Sequence, residues 1–443
     1  MPHPSVPPAH SVRDLRAIAS LGAEGFKSIR AAREISIAPL TLLAGANSSG
    51  KSSMIQPLLL LKQTLEAPYD PGPLLLNGPN ARFTQVDQLL NKDRRDCGEF
   101  AFRIELERSP RIQSLKLNFC RMQSGDPIKL ESVIETSENK EHEIKPGTWS
   151  IDDDRLQQAL VKIGFLTGPP RKEVVRNRCF FETWIGTDTH PRIVPFDDGM
   201  SEFERAVLHV IHVPGLRGNP RRNYPVAATG ACFPGTFEDY AASVIASAQN
   251  RNDGGAFLTD VGNDLHELGL TWKIAARKID DTQVELQVGR LTNPLRGGAY
   301  DLVSVADVGF GVSQCLPVVV ALRTALPGQL VYIEQPEIHL HPRAQHALAK
   351  LLMRAALRGV RVVAEIHSSI LLLGLQALVA EGRIDKDLVA LHWFSRNADG
   401  ETEIASSGLD EAGRFPEWPV DFDEVLLGAQ TEYLDASERR LAP

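Results

Sequence analysis

Cysteine is sparse in this sequence. The 443 residues contain five cysteines that lie far apart and show no metal-ligand spacing: Cys97, Cys120, Cys179, Cys232 and Cys315. This pattern excludes a zinc module with recognisable spacing and a disulfide-stabilised scaffold, and it predicts reduced thiols. Aromatic residues are also few, at 6%, and do not interleave with the basic clusters. A base-stacking groove for single-stranded nucleic acid is therefore not indicated.

Positive charge is in short supply as well, since 48 lysines and arginines face 56 acidic residues and the formal net charge is -8. A protein-wide attraction to nucleic acid is not expected from this balance. Three local basic clusters keep direct contact with DNA open as an alternative. They are Lys92, Arg94 and Arg95; Arg171, Lys172, Arg176 and Arg178; and Arg217, Arg221 and Arg222. Such clusters are more often solvated faces than binding sites.

Long hydrophobic runs are missing. No apolar stretch approaches the length that spans a bilayer, and the proline-containing N-terminus lacks the pattern of a secretory leader. We therefore expect a cytoplasmic protein without membrane contact. Hydrophobic residues make up 43% and charged residues 23%, which is typical of a globular chain with room for two or three lobes.

A glycine-rich segment is the most informative feature present. Residues 45–52 fit the P-loop pattern G-x-x-x-x-G-K-[ST] and follow the apolar run 40–44. In such a loop, backbone N–H groups and a helix N-terminus point at a phosphate chain. Lys51 is expected to reach the β- and γ-phosphates and the Ser52 hydroxyl to ligate Mg²⁺. The predicted nucleotide-binding residues are Gly45, Asn47, Ser48, Ser49, Gly50, Lys51, Ser52 and Ser53.

The apolar periodicity predicts an α/β fold with a mixed sheet flanked by helices. One or two strands are expected within 15–37, and the helix after the P-loop is expected to reach about residue 65, with Pro57 bending it. From residue 302 onward, helices and strands alternate as in a parallel sheet. The predicted elements there are helix 313–325, strand 329–333, helix 343–357, strand 360–364, helix 369–380 and strand 388–394.

The middle of the chain is harder to interpret. Residues 123–200 are polar and predict a loop-rich region, while 207–213 predicts a buried strand. The remaining predictions are strands at 100–106 and 114–119, helices at 237–248 and 257–268, and a hairpin of 272–276 with 284–288.

Three strand and helix ends near the C-terminus carry candidate site residues. Glu334 ends an apolar strand and is the candidate Mg²⁺ ligand, directly or through water. His367 follows the next strand and is placed to reach a γ-phosphate or a lytic water. Small residues at a helix start form a candidate anion-binding nest, with a plain N-cap by Ser313 as the alternative. The nest residues are Gly311, Val312, Ser313 and Gln314.

In this order the motifs resemble the ABC-type ATPases, in particular the SMC, recombination-repair and OLD (overcoming lysogenisation defect) branch, often called bacterial AAA ATPases. The motifs are Phe26 to Ile29, the Gly45 to Ser52 loop, Pro214 to Arg221, Glu334 to Pro342, Glu365 to Ser368 and Phe415 to Pro419. The resemblance implies an α/β ATPase head with a compact α+β insertion between two lobes. The implied division is a loose N-terminus 1–14, an N-terminal lobe 15–122, an insertion 123–300, a C-terminal lobe 301–395 and a tail 396–443.

The same resemblance implies ATP and Mg²⁺ as cofactors and a head-to-tail dimer or higher oligomer. Each ATP would lie between the P-loop of one copy and the Gly311-to-Gln314 nest of the other. SMC relatives insert a long coiled coil, which this chain lacks, and OLD relatives carry a nuclease domain, which we do not expect here.

One departure from the family pattern affects the chemistry. The family usually places Asp-Glu where this chain has Glu334-Gln335, and glutamine cannot accept a proton as a general base. Three interpretations remain: Glu337 is the base, His367 orients the water, or hydrolysis is slow and the ATP-bound dimer is the working state. In the family a glutamine also contacts the metal; Gln85 and Gln88 are the candidates here.

Three functions follow. The first is an ATPase that dimerises on ATP and switches a separately encoded effector, in a setting such as bacterial defence against phage. The second is a DNA-repair ATPase that acts on DNA itself. The third is a slow or non-hydrolysing ATP-bound scaffold, which Gln335 favours.

Overall fold

The computed structural model describes residues 15–92, 98–121, 126–138, 140–150, 171–187, 192, 194–196, 199–252, 254–291, 301–416, 431, 432 and 434. The predicted loose N-terminus 1–14 lies outside these ranges. So do Arg94, Arg95 and most positions after residue 416.

The strands of the described residues are numbered along the chain. They are β1 (Ile18–Glu24), β2 (Arg33–Ser36), β3 (Leu40–Gly45), β4 (Phe100–Leu106), β5 (Ser114–Cys120), β6 (Lys129–Ser137), β7 (Lys140–Ile144), β8 (Gly147–Ser150), β9 (Arg171–Asn177), β10 (Phe180–Gly186), β11 (Val194–Phe196), β12 (Ile211–Val213), β13 (Tyr224–Pro225), β14 (Ile274–Lys278), β15 (Gln283–Gly289), β16 (Leu302–Ser304), β17 (Leu330–Glu334), β18 (Arg361–Glu365), β19 (Val389–Arg396) and β20 (Thr402–Gly408).

The α-helices are numbered in the same way. They are α1 (Lys51–Glu66), α2 (Met200–Leu208), α3 (Ala241–Asn250), α4 (Gly254–Glu267), α5 (Phe310–Thr324), α6 (Pro342–Leu357) and α7 (Ser369–Ala380). Pro57 lies inside α1 and Pro317 inside α5. Short 3-10 turns cover Val86–Gln88, Phe237–Asp239, Val305–Asp307 and Lys386–Leu388.

A six-stranded central sheet carries the P-loop. Its strand order is β12-β17-β18-β3-β19-β20, and all neighbouring pairs are parallel except β19 with β20. Because the carboxyl ends of parallel strands meet at one edge of a sheet, the ends of β3, β17 and β18 lie side by side there. This edge is where the predicted site residues are concentrated.

Alternate residues of the central strands pack into two separate hydrophobic cores, because successive side chains of a strand point to opposite faces of the sheet. Leu42 and Val362 belong to the core that α5, α6 and α7 cover. Their neighbours Leu43 and Val363 belong to a second core, which contains the apolar residues of α1. The central sheet is therefore buried on both faces, and this explains its apolar strands.

The three other sheets of the described residues are antiparallel. Strands in the order β2-β1-β4-β5-β6-β7 form a second six-stranded sheet, whose inner residues share the α1 core. Strands β11-β10-β9-β8 form a third sheet, and β13-β15-β14 with β16 a fourth. The predicted α/β class with a mixed sheet flanked by helices is confirmed, as are the alternating elements after residue 302.

The prediction of loops over residues 123–200 is wrong for the described part of that range, where β6 to β11 form. Their residues pair in antiparallel ladders, and some of the strands bury very little: β7 reads Lys-Glu-His-Glu-Ile with only Ile144 buried, although β10 buries Phe180 and Phe181. Strands with so few buried residues lack the apolar alternation that sequence reading depends on.

The predicted strand over 207–213 is also partly wrong. Residues Val207 and Leu208 end helix α2, and the strand is confined to Ile211–Val213. The signal for the helix lay upstream, since Met200, Phe203 and Val207 are buried at the spacing of one helix face. None of the helices in the described ranges has both the length and the apolar character needed to cross a bilayer.

We predict that Gly45→Ala destabilises the fold more than a second glycine substitution at positive φ. A Cβ at Gly45, where φ is +135°, would lie 2.1 Å from the Phe394 carbonyl oxygen on the neighbouring strand. Strain and overpacking together should cost about 3 kcal/mol or more of unfolding free energy. Urea unfolding followed by circular dichroism measures the loss.

The matched control is Gly72→Ala, because Gly72 has φ +91° and no atom within 4 Å of its Cβ position. This substitution should cost only about 1 kcal/mol from the backbone alone. Equal losses at the two glycines would contradict the close approach of β19 to the P-loop.

Candidate functional site

The P-loop joins the end of β3 to the start of α1. Three of its residues have positive φ: Gly45 at 135°, Ser48 at 61° and Gly50 at 112°. Positive φ values in a short loop are typical of anion-binding nests, in which successive backbone N–H groups point at the ligand. The side-chain oxygen of Ser49 is buried and has no hydrogen-bond partner. An orphaned hydroxyl inside a loop of inward N–H groups fits a phosphate ligand.

Lys51 begins helix α1 with its ammonium inside the loop. Its Nζ donates to the carbonyl oxygens of Gly45 and Ala46, each at 2.9 Å, and lies 3.9 Å from a carboxylate oxygen of Glu365. The side chain is 3% exposed. Burial lowers the pKa of Lys51, while Glu365 and Glu337 oppose that shift. The ammonium thus lies among two backbone carbonyls of the loop and the carboxylates of Glu365 and Glu337.

Glu365 ends β18 directly beside the P-loop. Its Oε2 accepts hydrogen bonds from Ser52 Oγ at 3.0 Å and from Tyr332 Oη at 2.9 Å. Burial raises the pKa of Glu365, although Tyr332 and Lys51 act in the opposite direction. Glu365 begins the motif Glu365 to Ser368, but the sequence predicted no role for it. The signal that could have found it is an acidic residue at the end of a second apolar strand.

Glu334 ends β17, one strand farther from the P-loop strand. Its Oε1 lies 3.1 Å from His212 Nε2, and its Oε2 accepts the Gly215 N–H at 3.0 Å. Burial raises the pKa of Glu334, but the His212 hydrogen bond and the Gly215 N–H outweigh it and the pKa is lowered. The structure therefore joins Glu334 to β12 and the loop after it, and joins Glu365 to Ser52.

Glu337 and His367 meet at the same edge of the sheet. One oxygen of Glu337 accepts the backbone N–H of His367, and the other, Oε2, is buried without a partner. Burial raises the pKa of Glu337 above its usual value. Partial burial and the Lys51 charge lower the pKa of His367, which favours the neutral form of its ring. Gln335 lies between Glu334 and Glu337 in sequence with φ 44°, and its N–H donates to the Glu365 carbonyl at 2.8 Å.

A polar cavity of about 730 Å³ opens over the P-loop. Four cationic side chains line it together with four acidic ones, Asp87, Glu365, Asp399 and Glu401. The cations suit a polyphosphate, and the carboxylates suit the divalent metal that accompanies one. Arg396 Nε donates to the Ser48 carbonyl at 2.8 Å, and Lys27 Nζ donates to Gln56 at 2.8 Å. The cationic residues are Lys27, Lys51, Lys92 and Arg396; the P-loop residues from Ser48 to Ser53 and Glu365 are also in the lining.

Gln85 does not line this cavity. It is exposed and precedes the 3-10 turn Val86–Gln88. Gln88 does line the cavity, but its amide pairs with Thr84 through both its oxygen and its nitrogen. Neither glutamine contacts Ser52 or Glu365 in this structure.

The predicted nest residues begin helix α5 and do not line the P-loop cavity. Ser313 Oγ donates to the Phe310 carbonyl at 3.0 Å, and the buried Gln314 donates to the Gly218 carbonyl at 2.8 Å. Gly311 and Val312 lie in the same turn. The structure therefore does not bring these residues to the P-loop of their own chain. Their predicted role toward a second copy remains a prediction.

Arg217 connects this turn to the end of β17. Its guanidinium donates to the carbonyls of Gln314 at 3.2 Å, Glu334 at 2.6 Å and Gln335 at 3.2 Å, and the side chain is buried. Planar guanidinium groups suit such several-point contacts.

Two of the three basic clusters contain arginines that pair with carboxylates. Arg176 pairs with Asp70 at 2.7 Å, and Arg222 pairs with Asp307 at 2.6 Å. The described residues contain no group of three or more His, Cys, Asp or Glu arranged to hold a metal ion alone. Mg²⁺, which commonly binds through one or two carboxylates and substrate phosphates, does not need such a cluster.

One family model matches part of the chain. Residues 278–373 match the family described as "AAA domain, putative AbiEii toxin, Type IV TA system". This segment, which contains the nest turn, Glu334, Glu365 and His367, is thus similar to AAA domains. Among curated proteins, no sequence matches the chain.

Solved structures of SMC heads are similar at low identity. An SMC head bound to the C-winged helix domain of ScpA has TM-score 0.46 and 11% identity, covering 89% of this chain and 99% of that chain. The SMC head from Thermotoga maritima has TM-score 0.39 and 9% identity, with coverages of 88% and 98%. An SMC head bound to the C-terminal domain of ScpA derived from Pyrococcus furiosus has TM-score 0.46 and 10% identity, with coverages of 96% and 100%.

We predict that Tyr332→Phe destabilises the protein by about 1.5–3 kcal/mol, the usual cost of losing a hydrogen bond to a charged group. Tyr332 is fully buried and its hydroxyl donates to Glu365. Tyr69→Phe is the control, because Tyr69 is 61% exposed, and it should change stability by no more than about 0.5 kcal/mol. Chemical unfolding of both variants tests this, and equal effects would argue against the contact.

Proposed function

We propose that this protein binds ATP with Mg²⁺ at the P-loop and hydrolyses it. The observation that carries the proposal is the cluster of Lys51, Ser52 and Glu365 at the wall of the polar cavity over the P-loop. The orphaned Ser49 hydroxyl and the inward-turned loop support a phosphate as the ligand. The similarity of residues 278–373 to AAA domains supports the same function.

When bound, Mg²⁺ would neutralise charge on the β- and γ-phosphates. The residues that would hold it are Ser52, through its hydroxyl, and a carboxylate at the adjoining strand ends. Lys51 would exchange its contacts with the Gly45 and Ala46 carbonyls for phosphate oxygens. Lys27 and Arg396, which line the same cavity, would add positive charge near the phosphate chain.

We assign the proton-accepting role to Glu337. Its Oε2 is buried, unpaired and near Lys51 and Glu365, whereas Gln335 cannot take a proton. The backbone N–H of His367 holds the other oxygen and orients the carboxylate. A raised pKa makes a carboxylate a stronger base once it is ionised.

The nest turn of α5 would act on the nucleotide of a second copy. Because these residues do not line the cavity of their own chain, the proposal requires head-to-tail association of two copies on ATP. Arg217 links the turn to Glu334 and Gln335, so nucleotide at one site and the interface at the other share a hydrogen-bonded connection. ATP would stabilise the dimer by binding it preferentially.

The dimer would switch a separately encoded effector, in a setting of defence against phage. Support for this part comes from the resemblance to OLD-like ATPases and from the matched family's description as a putative toxin. Direct action on DNA has less support, since described arginines of two basic clusters are paired with carboxylates. DNA-stimulated hydrolysis that is lost in high salt would favour that alternative.

The decisive measurement is ATP binding and association of the whole chain. Calorimetry with a non-hydrolysable ATP analogue and Mg²⁺ should detect binding to the wild type, and Lys51→Met should weaken it at least about tenfold, since a buried cation is lost from the phosphate site. Sedimentation velocity should show nucleotide-dependent dimers of the wild type. A chain that binds no ATP would refute the proposal.

Association is tested separately with Ser313→Arg. This variant should bind the analogue but remain monomeric, because the change lies at the proposed interface and outside the cavity of its own chain. The control is Ser247→Arg on α3, also half-buried on a helix, which should still dimerise. Dimers formed equally by both variants would contradict the head-to-tail arrangement.

We predict that Glu337→Gln slows single-turnover hydrolysis by about 10²-fold or more, the range expected for loss of a general base. The exposed Glu411→Gln is the control and should match the wild type. Equal rates for Glu337→Gln and the wild type would remove Glu337 from the chemistry and leave His367 or a slowly hydrolysing dimer.

We also predict that Glu337→Gln changes the pH dependence of the hydrolysis rate. Glu337 must be ionised to accept a proton, and burial among Arg217, Glu365, Lys51 and His367 leaves its pKa raised. The wild-type rate should therefore fall, as pH decreases, at a higher pH than an ordinary carboxyl would give. This acidic limb should be absent from the residual rate of Glu337→Gln.

A further inference from the structure

We propose that Glu365, and not Glu334, is the carboxylate of the Mg²⁺ site, and that Glu334 instead positions the loop after β12. The inference rests on the proposed function, because it concerns the metal that would accompany ATP. It assigns the metal side of the site to a residue that the order of the strands brings to the P-loop and for which the sequence predicted no role.

The strand order provides the first argument. Strand β18 lies directly beside β3, and Glu365 is paired with Leu43, two residues before the end of β3. Strand β17 is the next one out, where Glu334 is paired with Glu365. With neighbouring strands about 4.8 Å apart, Glu334 starts about 10 Å from the P-loop strand and Glu365 about half that distance.

The side-chain contacts agree with the strand order. Ser52 donates to Glu365, at 3.0 Å to Oε2 and 3.3 Å to Oε1. A hydroxyl that gives its proton to a carboxylate keeps its lone pairs for a cation. Glu365 therefore holds Ser52 in the orientation that metal ligation needs and places negative charge beside it.

The carboxylate of Glu334 is already used in another direction. Both of its oxygens are engaged, one with His212 Nε2 and one with the Gly215 N–H. His212 is itself held by Asn80 through its other ring nitrogen and stacks on Tyr332. The Glu334 carboxylate therefore contacts β12 and the start of the loop carrying Arg217, whereas the Glu365 carboxylate contacts Ser52 and lines the P-loop cavity.

Burial strengthens the case for a cation at Glu365. The residue is 6% exposed, and its nearest positive charge is Lys51 Nζ at 3.9 Å. In the proposed complex Lys51 turns to the phosphates, which leaves a buried carboxylate in need of a new positive partner. A nucleotide-bound divalent cation next to Ser52 supplies one.

The test compares Glu365→Gln with Glu334→Gln. The two variants are matched, since each neutralises one carboxylate at the end of neighbouring strands and keeps its shape. The first readout is the Mn²⁺ dissociation constant in the presence of the chain and a non-hydrolysable ATP analogue, measured by electron paramagnetic resonance. The second readout is the dissociation constant of the ATP analogue, measured once with Mg²⁺ and once with EDTA in its place.

Glu365→Gln should weaken Mn²⁺ binding by about 10–100-fold and lose most of the Mg²⁺-dependent gain in nucleotide affinity. Glu334→Gln should change the Mn²⁺ constant by less than about threefold. The reverse order, equal losses, or no loss in either variant would overturn the inference. Wild-type protein that binds no nucleotide would instead overturn the proposed function.

Ser52→Ala provides a second route if Glu365→Gln is poorly folded. It should weaken Mn²⁺ binding in the same range, and because Glu365 acts partly through the Ser52 hydroxyl, the double variant should lose less than the product of the single losses. Strictly multiplicative losses would contradict the link between the two residues. Circular dichroism of each variant separates loss of metal binding from loss of fold.

Discussion

The ion pair and hydrogen bonds that join β18 to the P-loop are the constraint on which the candidate site depends. Lys51 at the start of α1 and Glu365 at the end of β18 are both buried, and their charged atoms lie 3.9 Å apart. Ser52, also on α1, and Tyr332 on β17 donate hydrogen bonds to the Glu365 carboxylate. The contacts therefore fix the loop, the helix and two strand ends relative to one another.

A second set of contacts extends this arrangement toward the proposed interface. Glu334 binds the loop after β12 through His212 and Gly215, and Arg217 in that loop binds the first turn of α5. Because hydrogen bonds connect Glu334 to this loop and Arg217 to α5, a shift at the end of β17 has a direct route to α5. In the proposed dimer, this route would connect the nucleotide site of one copy to the interface with the other copy.

Local sequence was enough wherever the chemistry comes from neighbouring residues. The P-loop pattern predicted the strand, the loop and helix α1, because glycines, a lysine and a serine at fixed spacing act together within one turn. The apolar runs after residue 302 likewise predicted their strands and helices, since parallel strands buried on both faces are apolar throughout. Polar, half-exposed strands such as β7 gave no such pattern, and the predicted loops there were wrong.

The sequence alone determined that the chain carries a P-loop motif, that acidic residues end two later strands, and that an α/β sheet carries them. It did not determine which acidic strand lies next to the loop. Only the tertiary structure decided this, by inserting β18 between β17 and β3, because strand order depends on long-range pairing that residue periodicity does not encode. For the same reason, the contact of Glu365 with Ser52, 313 residues away along the chain, could be seen only in the folded protein.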